Sequence, residues 1–178
     1  KVAGKHIKDQ FKLAEGVIDE SVLYDITTYR SEGEYSDKRR PDSVEWGKTV
    51  QEDLKRRDFT INAIAINLRG EIVDPYGGQE DLKNKLIKAV GDPSERFEED
   101  ALRIMRAIRL SSQLGFMIEE KTLIALKEKV PNLKEISWER IGAETIKLLA
   151  TEHATDGIQL MVNTGIMSIV IPELLTTK

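Results

Sequence analysis

The sequence predicts an α+β protein in which short strands come first and helices follow. Two patterns lead to that class. Up to about residue 90 the apolar runs are short and β-branched, whereas from residue 94 onward apolar residues recur at helical spacing. A third observation gives the helical part its centre. Arg96 to Leu110 reads as one helix, opened by Glu98, Glu99 and Asp100 and apolar almost all round thereafter. Its exceptions are Arg103, Arg106 and Arg109, which at 100° per residue fan over an arc of roughly 120°. Arginines on a largely buried helix must pair with buried acids or line a cleft that holds an anion. The sequence leaves both open.

The strand-rich part begins with Val22 to Tyr29, an alternating, β-branched run. Residues 31–48 are polar and charged, with Gly33, Pro41 and Gly47, and are long for an ordered connection, so a mobile functional loop is expected. Thr60 to Leu68 is apolar without a clear period. Arg69-Gly70 makes a turn into a short strand, Glu71 to Asp74, that stops at Pro75. Asp81 to Lys85 starts a helix or a turn, and Leu86 to Val90 is a further strand. Beyond Gly91-Asp92-Pro93, helices are expected at Thr122–Lys129 with Thr122 as N-cap, at Ile141–Ala150 behind Ser137, at Ala154–Asn163 and at Ile166–Ile171. Gly165 and Pro172 punctuate the last two.

Composition narrows the function classes. The chain has 178 residues, no Cys and two His, His6 and His153, so thiolate metal sites and histidine triads are not expected. The net charge of −4 argues against nucleic-acid binding through overall charge but leaves room for a local basic patch. No apolar run approaches the length of about 20 that spans a bilayer. A cytoplasmic protein is expected. The chain starts at Lys1 and ends on Leu174-Leu175-Thr176-Thr177-Lys178, which reads as part of a longer protein.

Three segments have chemical potential. In Lys55 to Ala63, adjacent Arg56 and Arg57 suit bidentate contact with phosphate, and Asp58 and Asn62 share a face whether the segment is helical or extended. A carboxylate and an amide beside basic groups suit a ribose next to a triphosphate; a charged turn entering a buried element is the plainer alternative. Asp100 and Arg103 stand at i, i+3 and are expected either to pair with each other or to read a base edge. Cytosine and adenine both present an amino donor beside a ring-nitrogen acceptor, which one carboxylate and one guanidinium match. Uracil and guanine present a carbonyl instead and would be refused. Asp74 to Leu82, with Gly77 and Gly78, is a hinge or a tight turn. Asp25 is a lone carboxylate on the first strand and becomes a metal candidate only if other carboxylates meet it.

Taken together and in this order, these segments resemble the tRNA nucleotidyltransferase/poly(A) polymerase family of the polymerase-beta-like superfamily. Arg56-Arg57-Asp58-Phe59-Thr60-Ile61-Asn62-Ala63 is similar to its ribose and phosphate motif, and Asp74 to Leu82 to its neck hinge. Glu99-Asp100-Ala101-Leu102-Arg103-Ile104-Met105-Arg106 resembles its amino-acid nucleotide template. Ser137-Trp138-Glu139-Arg140-Ile141 resembles the last neck motif, which supports the template helix, and Tyr29 to Pro41 the loop used in switching from C to A addition.

The resemblance implies an incomplete polymerase-beta-like head over residues 1–91, with a flexible loop at about 31–48, and a helical neck and start of body over 92–178. It implies a complete enzyme that adds C and A to the 3′ end of tRNA from CTP and ATP without a nucleic-acid template. The RNA 3′-hydroxyl would attack the α-phosphate, with two Mg²⁺ stabilising the attacking and leaving oxygens. Asp100 and Arg103 would read the base, Asp58 and Asn62 hold the ribose, and Arg57, Arg106 and Arg109 order phosphates or the cleft. The sequence departs from the family at the head. The Gly-Gly, Arg-Asp turn and the Asp-x-Asp metal pair are missing, and Asp25 falls where the third head carboxylate is expected. Either these residues lie outside the chain or catalysis has been lost. Poly(A) tailing, a non-catalytic nucleotide- or RNA-binding module, and a structural domain whose three arginines are all consumed by internal acids are the alternatives.

Overall fold

The computed structural model describes residues 49–67 and 69–175 in full and, before them, the backbone of four short strands. β1 (Val2–Ala3) is antiparallel to β2 (Leu23–Tyr24), and β3 (Arg30–Glu32) is antiparallel to β4 (Val44–Trp46). The ends of the expected 31–48 loop are thus joined by a ladder, with Arg30 opposite Trp46 and Glu32 opposite Val44. The residues between those strands lie outside the described set, as does Asp25.

From Thr49 the chain builds the floor of a cleft. Thr49 caps α1 (Val50–Lys55) by accepting the Glu52 amide at 3.3 Å. A single 3-10 turn, Thr60–Asn62, follows, and the apolar run of uncertain type resolves into that turn plus β5 (Ala65–Ile66). β5 pairs antiparallel with β6 (Ile72–Val73) around the Arg69-Gly70 turn, as the sequence predicts. α2 (Gly78–Lys83) follows β6 through residues 74–77, with Gly77 as its N-cap residue and the Asp74 carboxylate accepting the Gly78 and Gln79 amides at 2.7 and 2.9 Å. Asp74 to Gly77 is thus a tight turn, and Gly78 to Leu82 belong to α2. β7 (Leu86–Ile87) pairs in parallel with β8 (Met117–Ile118), a strand too short to show in the sequence pattern.

The expected helix over Arg96–Leu110 is two helices. α3 (Pro93–Glu99) starts on the Asp92 cap and stops at Asp100, whose backbone is extended at φ −148° and ψ 102°. α4 (Leu102–Leu114) restarts directly. Asp100 makes the break itself: its Oδ1 takes the Leu102 amide at 3.1 Å, competing with the helical hydrogen bond. α5 (Glu120–Lys129) is capped by Glu119 rather than by Thr122, the Glu119 carboxylate accepting both the Thr122 amide at 2.7 Å and its hydroxyl at 2.9 Å. The Thr122 hydroxyl oxygen in turn accepts the Ala89 amide, so Thr122 fastens α5 to the strand side. α6 (Trp138–Leu149), α7 (Ala154–Thr164) and α8 (Met167–Val170) complete the helices where the periodicity places them.

α4 is the central element, packed against α6 and α7, while α3 packs against α5. Ile104, Met105 and Ile108 are fully buried among Phe97, Leu126, Leu148 and Met161. Phe59 and Ile87 belong to the same core, so the strand-bearing and helical portions are sealed to each other across Gly91–Pro93. Burying these side chains is the main source of stability, at roughly 1.5–3 kcal/mol for each large one. Among the described residues no helix is long and apolar enough to cross a membrane.

Candidate functional site

The end of α1, the 3-10 turn and the start of α4 converge on a cleft of about 520 Å³. Its lining includes Arg56, Arg57, Asp58, Asn62, Asp100, Arg103, Arg106, Arg109 and Arg140. All seven residues expected to bind a nucleotide thus lie on one surface, although Arg57 and Arg109 are 52 positions apart in the chain. Arg56 and Arg140 join them. Arg56 was visible as half of the Arg-Arg pair; Arg140 was visible only as a member of the last neck motif.

Each arginine is braced by an acid. Asp53, buried on α1, holds the Arg pair as a two-handed brace: Oδ1 accepts from Arg56 Nε at 3.0 Å and Oδ2 from Arg57 Nη2 at 2.9 Å. Glu99 bridges Arg96 and Arg103, the latter at 2.6 Å. Arg103 Nη1 and Nη2 also donate to the Arg96 and Arg56 carbonyls, both at 3.1 Å, which ties the α3–α4 break to the end of α1. Arg106 Nε donates to Asp58 Oδ2 at 2.7 Å, Arg109 Nε to Glu144 Oε2 at 2.6 Å, and Arg140 Nη2 to Asp100 Oδ2 at 2.8 Å. The Asp100–Arg103 side-chain pair, one of the two expected outcomes, does not form: the Arg103 amide reaches the Asp100 carbonyl at 3.0 Å, but the two side chains take other partners. Their partners are Arg140 and Glu99.

The choice between buried ion pairs and an anion cleft is thus not exclusive. Asp53, Asp58 and Glu144 are all below a tenth exposed and sit behind Arg56, Arg57, Arg106 and Arg109, whereas Arg103 is as buried as these acids and more so than its partner Glu99. A planar guanidinium has five N–H donors. Arg103 uses three of them and Arg109 two, Nε to Glu144 and Nη1 to Gln113, which leaves donors for a ligand. Arg140 Nη1 is buried and has no hydrogen-bond partner among the described residues.

Three of the bracing acids, Asp53, Asp58 and Glu144, are held below the ordinary carboxylate range despite their burial. At Asp58 burial works to raise the carboxyl, but the Arg106 charge and hydrogen bonds from Asn62, Arg106 and the Phe59 amide overcome it and hold the group below the ordinary carboxylate range. Burial is opposed in the same way at Asp53 by Arg57 and Arg56, and at Glu144 by Lys147 and Arg109. Asp58 also accepts the Asn62 side-chain amide at 3.1 Å, so the two share a face as their spacing predicts.

Residues 2–88 match the family model described as "Poly A polymerase head domain", and residues 115–177 match "Probable RNA and SrmB- binding site of polymerase A". A CCA-adding enzyme from Geobacillus kaustophilus is 48% identical over 152 residues, covering 85% of this chain and 38% of that relative. Another from Lactobacillus helveticus is 54% identical over 141 residues, covering 79% of this chain and 35% of the relative. The chain belongs to the tRNA nucleotidyltransferase/poly(A) polymerase family.

The fold agrees with the family's solved members. The Bacillus stearothermophilus CCA-adding enzyme in complex with CTP superposes with a TM-score of 0.74 at 41% identity, over 83% of this chain and 35% of that one. The Thermotoga maritima CCA-adding enzyme complexed with tRNA does so with a TM-score of 0.66 at 35% identity, over 70% and 31%. The chain spans a little over a third of the length of the curated relatives it matches. The nucleotidyltransferase family implies Mg²⁺, and the described cleft does not fit it. Asp58 and Asp100 are each bonded to an arginine, and no group of three His, Asp or Glu side chains suited to a metal occurs among the described residues.

Proposed function

We propose that the complete protein is a CCA-adding enzyme, joining C and A nucleotides from CTP and ATP to the 3′ end of tRNA, and that residues 1–178 hold its nucleotide-selecting part. The observation that supports this most is the arginine cleft itself, where the expected base, ribose and phosphate groups meet. Asp100 keeps lone pairs beyond those given to Arg140 and Leu102, and Arg103 keeps two N–H donors. One acceptor beside one donor fits the edge shared by cytosine and adenine. Asp58 and Asn62 hold the ribose on this reading, and Arg57, Arg106 and Arg109 draw the phosphates. The names of the matched relatives favour CCA addition over poly(A) tailing.

The complete enzyme requires Mg²⁺ on this reading, held by carboxylates outside the arginine cleft, with Asp25 the candidate within the chain. The protein is placed in the cytoplasm, where tRNA and nucleotides are available.

The test supplies tRNA lacking its terminal CCA, Mg²⁺ and labelled CTP or ATP to the full-length protein and to residues 1–178. Incorporation is expected from the full-length form and at most a trace from the shorter one. CTP and ATP binding with no incorporation by the full-length protein would instead mark a non-catalytic binding module. An Asp100→Ala change removes a charged acceptor and should shrink the preference for CTP and ATP over UTP and GTP by roughly tenfold to a hundredfold. Base choice measured in single-nucleotide incorporation checks it, and unchanged selectivity would remove Asp100 from the template role.

A further inference from the structure

The cleft's ribose side hangs on a carboxylate that never reaches it. Asp81, on α2, is buried at 8% exposure and has no cation near it in the hydrogen-bond or ion-pair network of the described residues; its Oδ2 accepts the Thr60 hydroxyl at 2.7 Å. Thr60, at 2% exposure, is the first residue of the 3-10 turn whose last residue is Asn62. The same turn is fixed on two more sides. The Thr60 amide donates to the Lys88 carbonyl at 2.9 Å, and Gly78 lies so close that a Cβ there would sit 2.2 Å from the Thr60 carbonyl oxygen. A single turn of three residues has little internal stiffness. Its geometry depends on outside contacts: Ile61 packs on the core and Phe59 pairs with Ala89, and of the three grips on Thr60 itself two come from α2.

We propose that Asp81, acting through Thr60, is a positioning residue for Asn62 and so for recognition of the nucleotide's ribose. The inference rests on the reading that Asp58 and Asn62 hold that sugar. Burying a carboxylate without a cation is costly, so the carboxylate here is explained by the strong hydrogen bond it accepts from the Thr60 hydroxyl. The expected consequence is selective. Loosening the turn lets Asn62 move relative to Asp58, which is held from outside the turn by Arg106 at its carboxylate and by the Val90 amide at its carbonyl. Base contacts at Asp100 and Arg103, on another element, stay in place.

The experiment compares CTP with 2′-deoxy-CTP on the full-length protein, by equilibrium binding and by incorporation onto tRNA lacking CCA. Asn62→Ala calibrates the loss of ribose recognition. Thr60→Val, nearly isosteric, and Asp81→Ala should each weaken CTP binding by about fivefold, the worth of one hydrogen bond, and reduce the preference over 2′-deoxy-CTP toward the Asn62→Ala level. Asp81→Asn keeps an acceptor and should restore both. Affinity for tRNA should not move, and the effect should fall on KM for CTP rather than on kcat. Combining Thr60→Val with Asp81→Ala should add little to either alone. Thr60→Val with full ribose preference, where Asn62→Ala has lost it, overturns the proposal and leaves the ribose reading standing. Ribose preference untouched by Asn62→Ala overturns both.

Discussion

Replacing Asp58 by Ala should abolish measurable CTP and ATP binding and destabilise the fold by about 3 kcal/mol. Asp58 is 7% exposed and accepts three hydrogen bonds, from the Phe59 amide, Asn62 and Arg106 Nε, beside an ion pair with Arg106 Nη2. Without it the cleft loses the group that aims Arg106 and the Asn62 amide together. The stability loss stays moderate because the Arg106 side chain is about a third exposed and can turn to water. Melting curves and nucleotide titrations of the same variant check the two parts. Asp58→Asn separates them, since it preserves shape and removes charge. A pH series adds a sign. The folded carboxyl lies below its unfolded value of about 3.9, so its stabilisation is complete above that pH and fades as pH falls through the depressed folded value. The gap in melting temperature between wild type and Asp58→Asn should be widest near neutrality and close in strong acid. A gap that widened on acidification would contradict the ion pair.

The second large effect is expected from one methyl group. In Gly78→Ala the new Cβ would meet the Thr60 carbonyl oxygen at 2.2 Å, its carbon at 2.8 Å and Ile64 Cγ1 at 2.8 Å. Two of these atoms are backbone, so no rotamer change relieves the contact. Either α2 lifts or the 3-10 turn shifts. The cost should reach the upper end of overpacking, about 3 kcal/mol, with nucleotide binding weakened through Asn62. Gly77→Ala is the comparison. It meets no neighbour but stands at φ 74°, so it should cost only the left-handed strain of about 1–2 kcal/mol and leave the nucleotide affinity near wild type. Equal effects at both glycines would show that backbone strain, not contact with Thr60, sets the constraint.

These two cases mark how the sequence and the fold divide the information. The α+β order, the helices after residue 93 and the candidate residues were legible because they depend on local period and on short motifs. Asp58 and Asn62 stand four apart, and a face shared at that spacing survives most local conformations. Gly77 and Gly78 were legible as a hinge or tight turn; that Gly78 opens α2 against Thr60, with its amide held by Asp74, was not. The break at Asp100 was not legible, since Glu98 to Arg106 fits a helix and only the capture of the Leu102 amide ends it. Thr122 looked like a cap for the same local reason, while Glu119 one turn earlier took that role. The strand Met117–Ile118 exists only through its pairing with Leu86–Ile87.

The sequence by itself singled out the groups proposed to contact a nucleotide, because guanidinium, carboxylate and amide have fixed donor and acceptor patterns wherever they sit. What only the tertiary structure decided is who braces whom. Arg103 is held by Glu99, Arg106 by Asp58, Arg109 by Glu144 and Asp100 by Arg140. Three of those four pairs join residues 35 to 48 positions apart. Charge attraction acts through space, and distance along the chain says nothing of distance through it until the core has closed.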